Sequence, residues 1–300
     1  MTNTVLVLGA SGRFGRNCAT AFKSAGWTVR TFDRENDNLI DKAKGADVIL
    51  NGWNPVYTDW AEQVPVLTKK IIAAAKSSGA TVIMPGNVYN FGRTAPQNFD
   101  ENTSHAAVNT LGKIRIVMES ALKRSGVPTI VLRAGDFIDT QASGNWFDLI
   151  MTKKLDKGVF TYPGRTDIPH AWAYLPDMAR AVVMLANQRA ELANFEDVPF
   201  PGYTLSGTDI HALVQNAVGH PVRLKTMSWL PIRLISPFWA MGARLVEMSY
   251  LWNKPHHLNG AKFKRLLPGF KATNAQVAVA NAVSLDVHPD KPMVRSHVTT

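Results

Sequence analysis

The chain has 300 residues, 46% of them hydrophobic, one cysteine and a formal net charge of +10. That length and apolar content suit one large domain, or a domain with a small appendage. A single cysteine, Cys18, excludes a disulfide framework or a cysteine zinc cluster, no metal site is expected, and no apolar run is long and charge-free enough for stable membrane insertion.

The N-terminus runs into a strand without a charged-then-apolar leader. With the lone cysteine, this predicts a reducing, cytoplasmic setting. The lysines and arginines are scattered, with only short clusters such as residues 262–265. No basic stripe interleaved with aromatics is present, so nucleic acid is not an expected partner, and an anionic small ligand accounts for part of the charge.

Residues 5–8, Val-Leu-Val-Leu, read as a strand buried on both faces of a parallel sheet. Glycines follow at Gly9, Gly12 and Gly15, and a helix is expected over 13–25, ended by Gly26. A strand that feeds a glycine-rich turn and a helix N-terminus is an anion-binding device: unpaired N–H groups and the positive end of the helix dipole face a ligand that glycine lets come close. The pattern predicts a dinucleotide on Gly9, Ser11, Gly12, Arg13, Phe14 and Gly15. The second strand, 27–32, places Asp33 and Arg34 at its tip. Asp33 suits the two hydroxyls of an adenosine ribose and hence NAD; Arg13 and Arg34 suit a 2′-phosphate and hence NADP. The two signals conflict.

The link over 35–45 leaves room for one short helix. A strand over 46–51 then delivers Asn51, Gly52 and Trp53, followed by a helix over 60–78 and a strand over 81–84 that delivers Pro85, Gly86, Asn87 and Tyr89 to the sheet's carboxyl edge. A helix over 111–124 and a strand over 129–132 follow, the latter ending in Arg133-Ala-Gly-Asp136. This alternation predicts a Rossmann-type, doubly wound α/β domain over 1–140, with 170–190 returning to it.

Beyond residue 140 the rhythm breaks, and 141–283 reads mainly as a smaller substrate-binding subdomain. Helices are expected over 146–154, 176–189, 209–218 and 237–252, and strands over 158–162, 203–205 and 222–227. The apolar helix over 237–252 reads most simply as core; a membrane contact, a dimer face or a lid over an apolar ligand are the alternatives. Residues 284–300 read as a loose tail.

The spacing Gly9-x-x-Gly12-x-x-Gly15 resembles that of the extended and atypical short-chain dehydrogenase/reductases, the NAD-dependent epimerase/dehydratase family. Residues 45–52, 174–179 and 203–207 are similar to further stretches of that family. The resemblance implies NAD or NADP, a small-molecule substrate such as a sugar derivative, hydride transfer, and a homodimer. It also implies a tyrosine acid/base, a lysine four residues later, and a Ser or Thr at the strand tip. Here the sequence departs from the family. Asn87 stands at the Ser/Thr position and can still donate and accept hydrogen bonds. Anchoring the helix on Lys113 puts Asn109 at the tyrosine position; anchoring it on Glu119 gives Leu111 and Arg115. Neither register has a tyrosine. Tyr250-Leu-Trp-Asn-Lys254 matches literally but lies outside the expected context. Tyr89 is therefore the substitute acid, and Lys113 its expected partner and ribose contact. On the substrate side Asn87, Tyr89, Arg133, Asp136, Arg165 and His170 are the candidates. His170 takes the place where sugar-nucleotide members carry an arginine. The alternative to an enzyme is a dinucleotide-sensing regulator resembling the negative nitrogen-regulator branch of the superfamily.

Overall fold

The computed structural model describes residues 2–283; the tail expected over 284–300 lies outside the described residues. In chain order the elements are β1 (Thr4–Leu8), α1 (Arg13–Ser24), β2 (Thr28–Phe32), α2 (Leu39–Ala43), β3 (Val48–Asn51), α3 (Trp60–Ser78), β4 (Thr81–Gly86), β5 (Asn98–Phe99), α4 (Thr110–Ser125), β6 (Thr129–Arg133) and β7 (Asp136–Ile138). They continue with β8 (Val159–Tyr162), β9 (His170–Tyr174), α5 (Leu175–Asn187), β10 (Phe195–Pro199), β11 (Tyr203–Leu205), α6 (Gly207–Val218), β12 (Arg223–Thr226), α7 (Leu230–Ile235), α8 (Ala240–Met248), β13 (His257–Leu258), α9 (Ala261–Leu266) and α10 (Ala275–Val283).

Six parallel strands form the main sheet in the order β10-β6-β4-β3-β1-β2. Successive side chains of a strand leave on opposite faces. Leu6 and Leu8 of β1 accordingly pack with α2, α3 and α4, while Val5 and Val7 pack with Phe14, Cys18 and Phe22 of α1 and with α5. Both faces are covered, which is why β1 and β3 carry no polar alternation. The link after β2 holds only the five-residue α2 and no strand, so β2 is the sheet's outer edge.

The smaller layer combines the sheet β11-β9-β7, the pair β12-β8, and helices α6 and α10 around Phe160, Trp172, Trp229 and Trp252. Two expectations fail there. The helix over 146–154 is a five-residue π-turn, Phe147–Met151. The single helix over 237–252 is broken into a 3-10 turn (Ser236–Phe238), α8 and a second 3-10 turn (Ser249–Asn253), preceded by the unforeseen α7. Pro237 offers no N–H to a continuing helix, and Trp239 is extended (φ −130°, ψ 97°). Nor is the segment all core: Phe238 is 95% exposed, whereas Met248 is buried.

Candidate functional site

The glycines of the first loop are fixed by contact. Gly9 has φ +73°, and a Cβ there would lie 3.0 Å from the Gly52 carbonyl; a Cβ on Gly15 would lie 2.2 Å from the Gly9 oxygen, and one on Gly52 2.8 Å from the Leu8 oxygen. Loop, helix and the β3 tip are thus closed on one another at backbone distance. Gly12 caps α1 without a side-chain hydrogen bond, and no acidic residue stands in the first turn. Free N–H groups and no competing carboxylate fit a pyrophosphate. Phe14 enters the core, so its backbone, not its ring, is available to a ligand. Ser11 is exposed beside it.

At the adenosine end, Asp33 is exposed and turned into its own loop. It accepts from the Glu35 N–H at 3.0 Å and from Asn36 Nδ2 at 2.6 Å, and these bonds hold its carboxyl below the usual range. Arg34 is exposed, while Arg13 donates to the Gly144 carbonyl at 2.9 Å. Asn51 accepts from the Trp53 N–H at 3.2 Å, and Trp53 meets Phe32 edge to face.

At the next strand tip, Asn87 Oδ1 accepts from the Tyr89 N–H at 3.1 Å, forming a turn that aims the tyrosine. The Tyr89 hydroxyl meets that of Tyr57 at 2.7 Å, against the Trp60 ring. Burial, then the neighbouring Tyr57 and Asp136, push Tyr89 well above the usual phenol range; burial also raises Tyr57. Both hydroxyls keep their protons at neutral pH.

Lys113 is placed differently from its expected role: it is exposed, on the outer side of α4. The inward residue is Arg115. Its Nη2 donates to the Pro85 carbonyl at 3.1 Å, its guanidinium lies 5.2 Å from the Trp60 ring centre, and its buried Nε has no partner among the described residues. Arg115 is the cation of the register anchored on Glu119, so in that register the cation faces the strand tip. Leu111, four residues before Arg115 in that register, is fully buried, and Glu247 of α8 accepts from its N–H at 2.6 Å.

Arg133 is also corrected. It is fully buried, and all five donors are engaged, by Glu119, Asp197, Asn90 and the Asn87 carbonyl. It braces the strand tips and offers nothing to a substrate. Burial opposes ionisation of Glu119, but the Arg133 guanidinium overrides it and holds the carboxyl below its ordinary value. His105, Glu119 and Asp197 lie within 4.8 Å of one another. Both carboxylates there already neutralise Arg133, which takes the place a cation would need.

Asp136 and His170 do meet, at 2.8 Å, with Asp136 partly open and His170 buried. The His170 ring stacks on Trp252 at 4.4 Å and touches His256, whose buried Nε2 has no partner among the described residues. Arg165 stands apart, exposed and paired with Asp167 at 2.6 Å. Tyr57 and His256 carry no sequence signal that marks them; Arg115 was visible as the residue four before Glu119.

No protein-family model and no curated protein sequence matches the chain. Solved structures match over nearly its whole length. MoeE5 in complex with UDP-glucose and NAD is 14% identical, covering 95% of this chain and 98% of that one, with a TM-score of 0.73. A nucleoside-diphosphate-sugar epimerase from Pseudomonas aeruginosa is 15% identical over 95% and 97%, with a TM-score of 0.72. The dTDP-4-dehydrorhamnose reductase from Yersinia enterocolitica is 17% identical over 95% and 99%, with a TM-score of 0.70. The chain has the Rossmann-type α/β fold of these epimerases and reductases.

Proposed function

We propose that the protein binds NAD or NADP and reduces a carbonyl group of a small molecule, with Tyr89 as proton donor. The observation that carries this reading is the part-buried Tyr57–Tyr89 hydroxyl pair, with Tyr89 just beyond the tip of β4. The dinucleotide, held by Gly9, Gly12, Gly15 and Gly52, supplies a hydride when bound. Tyr89 holds a proton that burial keeps in place, so it serves an alkoxide as an acid and serves a hydroxyl poorly as a base. That favours reduction over epimerisation, which begins by removing a proton. The Tyr57 hydroxyl, 2.7 Å away, holds the Tyr89 hydroxyl in place. Asp136, Asn87 and His170 are the residues we assign to the substrate side, and Arg115 replaces lysine as the nearby fixed cation.

Thermal-shift titration with NAD⁺, NADH, NADP⁺ and NADPH tests the cofactor, since a bound ligand raises apparent stability. A panel of carbonyl compounds then tests turnover, read as loss of reduced-nicotinamide absorbance. Stabilisation by none of the four overturns the proposal. Stabilisation without consumption across the panel supports the second reading, a dinucleotide sensor, which Leu111 at the tyrosine position and the outward Lys113 favour.

A further inference from the structure

α7 and the turn after it carry apolar side chains into solvent. Leu230 is 62% exposed, Leu234 68% and Phe238 95%, with Ile235 and Trp239 beside them. Leu230 and Leu234 are one helical turn apart and share a face, while Ile232 and Trp229 pack inward. Five large apolar residues within ten positions form a surface that a soluble monomer rarely leaves open.

Arg233, on the same helix, also lines a cavity of about 330 Å³ together with Arg93, Lys254, Tyr250 and Asn253. No acidic residue lines it. Arg93 lies over the Tyr250 ring at 4.9 Å, and Lys254 donates to the Ala95 carbonyl. None of the three cations has an ion-pair partner among the described residues. Glu247, an acid of the same segment, is committed to Arg244 at 2.9 Å and to the Leu111 N–H. The Tyr250 hydroxyl is buried and has no hydrogen-bond partner among the described residues. Tyr250 and Lys254, the literal Tyr-x-x-x-Lys match, thus line a cationic cavity.

We propose that this face docks on an anionic bilayer surface, with the apolar residues of 230–239 entering the headgroup boundary and Arg93, Arg233 and Lys254 taking a lipid phosphate in the cavity. An amphipathic segment with basic and aromatic residues lies in such an interface without spanning it. Charge selects the occupant. A symmetric second copy would bring the same three unpaired cations toward its own, whereas a lipid surface supplies their counter-charge. The proposal is independent of the dinucleotide reading.

The test is co-sedimentation of the full chain with vesicles of phosphatidylcholine alone or with 30% phosphatidylglycerol, at low and high salt. Binding is expected only with the anionic vesicles and is expected to weaken with salt. Phe238→Ser with Leu234→Ser lowers the partition coefficient at least about tenfold, from the apolar area lost. Arg233→Gln lowers it about fivefold. Both variants keep the wild-type melting temperature. Equal binding to both vesicle types, no binding to either, or a concentration-dependent dimer abolished by the serine pair overturns the proposal.

Discussion

Replacing Gly15 with alanine adds one methyl group at the point where α1 crosses the first loop. Its Cβ would lie 2.2 Å from the Gly9 oxygen, 2.8 Å from the Gly9 carbonyl carbon and 3.2 Å from Ala10 Cα. Every contacted atom is backbone, so no rotamer change relieves the clash, and Gly9 itself has so little room that a Cβ on it would lie 3.0 Å from the Gly52 carbonyl. Helix propensity alone would favour alanine by up to about 1 kcal/mol. Overpacking costs about 1–3 kcal/mol, and the upper end applies where backbone must move. The net expectation is a loss of about 1–2 kcal/mol, a fall of roughly 2–3 °C in melting temperature for a chain of this size. The displaced Gly9 carbonyl also deforms the proposed pyrophosphate cradle. Saturating dinucleotide at a hundred times its Kd, worth about 2.7 kcal/mol to the wild type, should then give little or no stabilisation. Gly79→Ala is the control: it forces a side chain onto φ +74° at the end of α3 but meets nothing within 4 Å. It should lower the melting temperature and leave the ligand shift intact. A Gly15→Ala protein with wild-type melting temperature and an undiminished dinucleotide shift would refute the close-packed cradle.

Tyr89→Phe should reduce turnover of an identified carbonyl substrate by 10²-fold or more with little change in dinucleotide affinity, and Tyr57→Phe by a smaller factor; steady-state kinetics decides, and equal turnover removes Tyr89 as the acid. Arg115→Ala should weaken dinucleotide-induced stabilisation while Lys113→Ala leaves it unchanged, because only Arg115 faces the strand tips; calorimetric titration distinguishes the two, and the opposite ranking restores Lys113. Arg133→Met leaves Glu119 and Asp197 without their cation and should cost about 3–5 kcal/mol in urea unfolding. His256 is held neutral, its pKa driven well below 6.5 by burial and then by His170. The unfolded chain takes up that proton and the folded one resists it, so this contribution to stability is complete above about pH 6.5 and falls away as the pH drops below it. Melting curves between pH 7.5 and 5 should show the decline, and His256→Gln should flatten it.

The main sheet was readable because its signal is local. Residues 5–8, 48–50 and 82–84 are continuous apolar runs, and glycines close the helices that follow. The missing strand after Arg34 was readable from length alone. The segment over 230–252 was not, because its apolar spacing suits a buried helix as well as an exposed one, and only Pro237 hints at the break. The site divides the same way. Gly9, Gly15 and Gly52 announce a close approach that the backbone then requires. The burial of Arg133 depends on Glu119 of the preceding helix and on Asp197 of β10, which reaches it only after the long connection through the smaller layer. Lys113 and Arg115 differ by two positions on one helix, and two positions decide which side of α4 a residue occupies.

The strand order has a consequence for synthesis. β6 ends at Arg133, but its outer neighbour β10 spans Phe195–Pro199, with the whole π-turn region, β7, β8, β9 and α5 lying between them in sequence. A chain emerging from the ribosome therefore holds an apolar parallel edge, Thr129–Arg133, without its final partner until residue 199 has been made. Arg133 waits equally long for Asp197. The nascent protein is most prone to association during that interval, when an unpaired edge and a half-neutralised buried cation coexist.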